Sequence, residues 1–245
     1  MAFSIKQPRK GYYTSRRGLL KWGLLGVGTF ALSSVPKALR AQTPTVRTLT
    51  FNADDVGILN FALLLEEIEA TFYQAAVNSG RVTNAREVEY LRSIGNNESE
   101  HATFLRSVLG NNVAFQTNDL SLNQSALANL LRDRDTILNT AITLEDLGVH
   151  AYNGAGTRLT NPTFLLAAGS IVSVEGRHVA GLRSLQGRPV TELPSEQKVS
   201  DANLVAAINP VRGRAYDELF TPRQVVEVVR SFNILNNPIA GALVA

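Results

Sequence analysis

The chain contains three histidines, and two of them stand three residues after a glutamate, in Glu98-Ser99-Glu100-His101 and Glu175-Gly176-Arg177-His178. On a helix, positions i and i+3 share a face, so each pair can offer a carboxylate and an imidazole to one metal site. Two further acids interrupt apolar runs: Leu63-Leu64-Leu65-Glu66 and Ala141-Ile142-Thr143-Leu144-Glu145. A carboxylate facing an apolar core costs several kcal/mol unless it is paired or bound to metal. Each of these acids precedes a tyrosine by seven residues, Tyr73 and Tyr152. Seven residues are close to two helical turns, so acid and tyrosine lie along one stripe. The separations also repeat, 32 residues from Glu66 to Glu98 and 30 from Glu145 to Glu175, as two similar helix hairpins facing each other would give. Four carboxylates and two neutral imidazoles offset two divalent ions, and their hardness suits two iron or two manganese ions. The competing reading is four salt-bridged core acids with two structural histidines.

Other polar residues rank lower. Glu69 lies one turn from Glu66 on the same side, as an outer partner of the site or an alternative ligand. Glu67, Glu100 and Asp146 point elsewhere and are expected to be solvated or paired. His150 follows Glu145 by five residues, about 140° round the helix, which suits a surface or interhelical histidine. Tyr73 and Tyr152 are candidates for hydrogen bonds to ligand carboxylates, with simple packing as the alternative. Asn96-Asn97 and Gly154-Ala155-Gly156 read as turn or packing residues. The absence of cysteine excludes disulfides, thiolate zinc sites, iron–sulfur clusters and cysteine nucleophiles.

The elements that must position these side chains are helices. Apolar residues recur at helical spacing from Ile58 to Ala75, behind a cap at Asp54 or Asp55, and Gly80 ends the segment. Asn84 can cap a second helix that Gly110 closes. Residues 110–124 are polar and Asn-rich, a long connection with a short helix at about 126–131. A third helix runs from about Asp133 to Tyr152 or beyond, its end loosened by Gly154 and Gly156. Asn161-Pro162 supplies a cap and a first-turn proline for a fourth, reaching about Leu185. One more helix follows, from Thr221-Pro222 to about Phe232. The fold class is therefore all-α. Short, long and short connections are the pattern of a ferritin-like four-helix bundle with a long B–C crossover, here over residues 55–186 with a helical extension at 187–245. One Glu from each of two helices plus Glu-x-x-His from each of the others is the ligand set of such di-iron and di-manganese proteins.

The formal charge of +3 is unevenly distributed. Residues 1–41 hold eight Lys/Arg and no acid, which leaves a formal −5 on residues 42–245, so the body lacks a basic footprint for nucleic acid. Ser15-Arg16-Arg17-Gly18-Leu19-Leu20-Lys21 resembles the twin-arginine export signal. The apolar run Trp22–Leu32 that follows would span about 16 Å as a helix, half a hydrocarbon core, and so predicts no permanent membrane anchor. Residues 1–41 thus read as a cleavable signal for the twin-arginine translocon, 42–54 as a linker, and the destination as the periplasm or the exterior.

Leu59-Asn60-Phe61-Ala62-Leu63, with Leu65-Glu66 and Ile68-Glu69-Ala70-Thr71-Phe72-Tyr73, resembles the first helix of secreted ferritin-like proteins, among them plant desiccation-related proteins. The resemblance covers about residues 55–186. It implies Glu66, Glu98, His101, Glu145, Glu175 and His178 as metal ligands, with Glu98 and Glu175 as bridges. It departs from rubrerythrins, whose rubredoxin module needs cysteines, and from bacterioferritins, whose haem takes a methionine: the sole methionine is Met1. The complete ligand set, rather than the resemblance, points to chemistry that consumes peroxide or O2, or oxidises Fe(II). The alternative is a non-catalytic metal-binding or stress-protection protein. A homo-oligomer is left open, although the 58 residues after Gly187 do not resemble a simple cage-closing helix.

Overall fold

The computed structural model describes residues 46–192 and 217–245. The export-signal reading of residues 1–41 lies outside the described residues. Helix α1 spans Asp55–Asn78 and begins where the Asp54 carboxylate accepts from the Gly57 N–H. Helix α2, Ala85–Leu109, is capped by Asn84 and stops at Gly110, whose φ of 54° lies in the region that favours glycine. Asp133 caps α4, Arg134–Gly156, and Asn161 caps α5, Pro162–Leu185, with the proline in the first turn. Between the two pairs, the crossover carries 3-10 turns at Gly110–Asn112 and Thr117–Asp119 and the short α3, Gln124–Leu130.

Helices α1 and α2 pack as one hairpin and α4 and α5 as the other, with α1 against α4 across the bundle. Helix α1 is buried on nearly every side from Gly57 to Glu69, which explains why its apolar run lacks a clean polar face. Asn60 stitches the crossover to it. Its amide donates to Asn112 O and accepts from Ala114 N, at 2.9 and 2.7 Å.

The C-terminal segment contributes α6, Pro222–Phe232, which has a Thr221/Gln224 capping box and packs on α4. After it, β2 (Ile239–Ala240) pairs in parallel with β1 (Leu49–Thr50). The sequence read residues 42–54 as a linker; within them, Leu49 and Phe51 are buried and Phe51 meets Phe61 edge to face at 5.4 Å. Their partner strand lies about 190 residues away, beyond the reach of any local pattern. Asn237 closes this corner by donating to Arg47 O and Asp119 O. Gly154 does not loosen α4: the helix continues through it to Gly156. A Cβ there would sit 1.9 Å from Phe220 O, so the missing side chain lets the C-terminal segment lie against the helix. No helix among the described residues is long and apolar enough to cross a membrane.

Candidate metal centre

Each of the four long helices delivers acid to one point in the bundle. Glu66, Glu98, Glu145 and Glu175 are fully buried, and His178 and His101 lie beside them at 6 and 13% side-chain exposure. Their potential ligand atoms fall into two groups, each lying within 4.8 Å of one another. The first is Glu66, Glu98, His101 and Glu175; the second is Glu145, Glu98, Glu175 and His178. This buried Glu/His arrangement could hold metal ions.

Glu98 and Glu175 belong to both groups, and each presents one oxygen to each side. Glu98 Oε2 is 2.8 Å from His101 Nδ1, and its Oε1 is 3.0 Å from His178 Nδ1. Glu175 Oε1 is 3.2 Å from His101 Nδ1, and its Oε2 is 3.9 Å from His178 Nδ1. The remaining acids are private. Glu66 Oε2 lies 3.2 Å from His101 Nδ1 and Glu145 Oε2 lies 3.1 Å from His178 Nδ1.

The tyrosines cross between the hairpins. Tyr73 of α1 donates its hydroxyl to Glu145 of α4, and Tyr152 of α4 donates to Glu66 of α1. Each hydroxyl therefore holds one oxygen of a private acid while leaving the other turned toward a histidine. Asn97, read from sequence as a turn or packing residue, places its amide 2.9 Å from His178 Nε2. Asn97 makes the contact through its amide nitrogen Nδ2, and whichever group donates, it fixes the ring from the side away from the carboxylates. Its position just before Glu98, one residue off the ligand stripe, gave no signal of this.

Burial and mutual repulsion govern the protonation. Desolvation pushes the Glu66 carboxyl up to about 8, and desolvation with the Glu175 charge raises Glu145 well above the usual range. Burial pulls both imidazoles down, but hydrogen bonds to the surrounding carboxylates outweigh it and hold His101 and His178 up at about 12. Against the same burial, the proximity of the two imidazoles holds Glu175 down at about 2. Protons thus stand where cations would neutralise four converging acids, and an arriving ion has to displace them. Glu98 Oε1 and both Glu175 oxygens are buried without a hydrogen-bond partner, which fits oxygens suited to bind cations.

The neighbouring acids are treated differently. Glu67 accepts from Arg106 at 2.6 Å and from Thr117 at 3.0 Å. Asp146 takes both its bonds, 2.9 and 2.7 Å, from Arg183. Glu100 is exposed. The sequence missed these arginines, although each stands five residues after a histidine of the cluster. Glu69 is buried at 4% exposure and is in neither group; burial, with the charges of Glu175 and Glu145, raises its carboxyl far above the usual range. His150 is interhelical rather than exposed. Its ring lies 4.5 Å from that of Phe220, and burial pulls it down to about 4.

A family model described as a ferritin-like domain matches residues 54–188. A search of curated proteins finds no match.

Proposed function

The chain belongs to the ferritin-like domain family, and on that footing we propose that it is an exported dimetal-carboxylate oxidoreductase acting on peroxide or dioxygen, with Fe(II) as an alternative substrate. The observation that carries this reading is the doubled cluster, in which Glu98 and Glu175 each turn one oxygen to either side. Two divalent ions, iron or manganese, would be held by Glu66 with His101 on one side and Glu145 with His178 on the other, and Glu98 and Glu175 would be shared. Such an ion pair, when bound, supplies electron transfer to and from O2 or peroxide.

The chain's own residues do the rest. The hydroxyls of Tyr73 and Tyr152 orient Glu145 and Glu66 and stay protonated as donors, because burial beside these acids disfavours their phenolates. Asn97 fixes the ring of His178 from its far nitrogen. Arg106 and Arg183 neutralise Glu67 and Asp146, so the adjacent acids add no uncompensated charge to the centre. The buried leucines that flank the private acids, Leu64, Leu65 and Leu144, keep bulk water from competing for the carboxylates. Export through the twin-arginine translocon is supported by Ser15-Arg16-Arg17 and its apolar run, and lets folding and metal choice precede transport.

Elemental analysis of the chain isolated from its native compartment, followed by assays with hydrogen peroxide and with Fe(II) plus O2, tests the reading. Two iron or manganese ions per chain are expected, with turnover that His101→Ala and His178→Ala each abolish. Turnover no faster than that of the free metal would overturn the enzyme and favour a protective or sequestering protein.

A further inference from the structure

Helices α2 and α5 meet along one side of the bundle, and the two halves of that seam are held differently. In the first half, the Tyr90 hydroxyl of α2 donates to Arg177 O and His178 O of α5, at 3.1 and 3.2 Å. Gly181 makes room for it, since a Cβ there would sit 1.9 Å from the Tyr90 oxygen. Further along, the Asn97 amide meets His178 Nε2 at 2.9 Å. Past Asn97, the polar contacts between the two helices among the described residues are those of the cluster itself, Glu98 with His178 and His101 with Glu175. The second half can therefore part without giving up a hydrogen bond outside the cluster.

His101 stands on that loose half. Tyr90, Asn97 and His101 are spaced by seven and four residues, so they follow the stripe of α2 that faces α5. The helices run antiparallel, because the contacts step back from His178 to Glu175 as α2 advances from Asn97 to His101. Four residues on from Asn97 thus meets four residues back from His178, which sets Val174 opposite His101, with Ser170 one turn beyond. Val174 is half-buried and Ser170 exposed, and the Ser170 hydroxyl turns back to Leu166 O of its own helix. His101 is also the ligand that solvent reaches, at 13% side-chain exposure against 6% for His178 and 0–1% for the four acids. The other seams are closed at this level. Between α1 and α2, Tyr73 packs on Gly95, where a Cβ would lie 2.8 Å from its own. Between α4 and α5, Glu175 packs on Gly148, and between α1 and α4 the crossing tyrosines and Leu64 and Leu144 fill the interior.

We propose that the α2–α5 seam between His101 and Val174 is the entrance through which divalent cations reach the cluster, and that Val174 sets its width. The inference rests on the dimetal reading but not on any turnover. Tyr90 and Asn97 close the His178 end of the same seam, so ions arrive from the His101 side. Val174 takes the place in α5 that Asn97 takes in α2, and a valine there leaves the opening without a polar staple.

Stopped-flow mixing of the metal-free full chain with cobalt(II), followed by the visible absorption of bound cobalt, tests it. Val174→Phe should slow uptake by about tenfold, because the filled seam has to open against aromatic packing before an ion passes. Val174→Ala should speed it. At equilibrium both variants should hold as much cobalt per chain as the parent. Ser170→Trp, at an exposed position, should also slow uptake, and it carries the test if Val174→Phe fails to fold. Ser184→Trp, exposed toward the far end of α5, should leave the rate unchanged. The proposal is overturned if the folded seam variants take up cobalt at the parent's rate, if Ser184→Trp slows uptake equally, or if slowing comes only with a lower cobalt content at equilibrium. A parent chain that binds no cobalt would overturn the dimetal reading itself, and the entrance with it.

Discussion

The α1–α2 and α4–α5 hairpins carry the same chemical grammar and then part from it at two places. Glu66, Glu67, Tyr73, Glu98, His101 and Arg106 in the first correspond to Glu145, Asp146, Tyr152, Glu175, His178 and Arg183 in the second. Every shared position either faces the common centre or neutralises the acid beside it. The differences fall just off that set. Asn97, against His178 Nε2, has Val174 as its counterpart, so His101 Nε2 has no hydrogen bond among the described residues. Glu69 corresponds to Gly148, and both line a small space beneath α6 with Val229 and Phe232. A Cβ on Gly148 would lie 3.3 Å from Glu175 Oε2, so a side chain there would press on a shared acid. The cluster is thus symmetric in its charges and unequal in its surroundings: His178 is held by Asn97 and less exposed, and His101 is freer.

The largest effect should come from the shared acids. Glu98→Ala or Glu175→Ala removes an oxygen from both groups at once, and metal analysis should find neither ion held stoichiometrically. Glu66→Ala or Glu145→Ala should remove one ion and weaken the other. Glu100→Ala, on an exposed side chain, should change nothing. Two ions per chain in Glu98→Ala would break the comparison at its centre.

Next come the arginines, where the hairpins should differ in degree. Arg183 and Asp146 have side-chain exposures of 3 and 8%, against 24 and 11% for Arg106 and Glu67. Removing one partner of a buried pair strands a charge, so Arg183→Met should cost about 3–5 kcal/mol in denaturant unfolding. Arg106→Met should cost clearly less, because water reaches the pair. Equal losses would mean that the exposure difference has no energetic weight.

Much of this was legible in the sequence, for reasons particular to each element. Asp54, Asn84, Asp133, Asn161 and Thr221 announce five helix starts, because a capping side chain and the first free N–H groups are neighbours in sequence. Glu-x-x-His was equally plain, since i and i+3 share a face. The β1–β2 pair was not, because Leu49 and Ile239 are joined by tertiary contact alone. Nor was the role of Asn97, since its partner lies on another helix 81 residues away. The partner of His150 was not legible for a related reason. Its angle round α4 turned it from the cluster, as expected, but toward a C-terminal segment whose path no periodicity predicts.

That segment covers α4 and gives the second hairpin an acid sensitivity that the first lacks. Five residues after Glu145 stands the buried His150; five after Glu66 stands Thr71, half-buried and without charge. His150 titrates near 4 when folded, against an ordinary 6.5. Between those values the unfolded chain binds more protons, so stability rises with pH through that window and is fully present above about 6.5. The contribution is about 3 kcal/mol at most, at about 1.4 kcal/mol per unit. Unfolding free energies of the parent and His150→Leu, compared at pH 7 and pH 4, should show the variant's disadvantage shrinking as pH falls. A difference that stays constant with pH would mean that the ring is not held neutral against Phe220.

The smallest effect is the one that isolates the asymmetry itself. Asn97→Val gives both hairpins the same residue before the shared acid, since Val174 already occupies that place in α5. Valine fits a helix interior at little cost, so the backbone of α2 should be undisturbed. What disappears is the amide that meets His178 Nε2 and thereby fixes which nitrogen faces the carboxylates. Loss of such an outer partner typically weakens metal affinity by about 10- to 100-fold; because Asn97 is only half-buried and water can replace its amide, the lower figure is expected. Stepwise metal titration should therefore show one ion weakened by about tenfold and its neighbour nearly unchanged, two sites that the parent fills together becoming separable. If both ions bind as in the parent, the Asn97 contact is packing alone and the two sides of the cluster are equivalent toward metal. If both weaken equally, the shared acids couple the ions so tightly that local differences are averaged, and the inequality of the surroundings has no counterpart in binding.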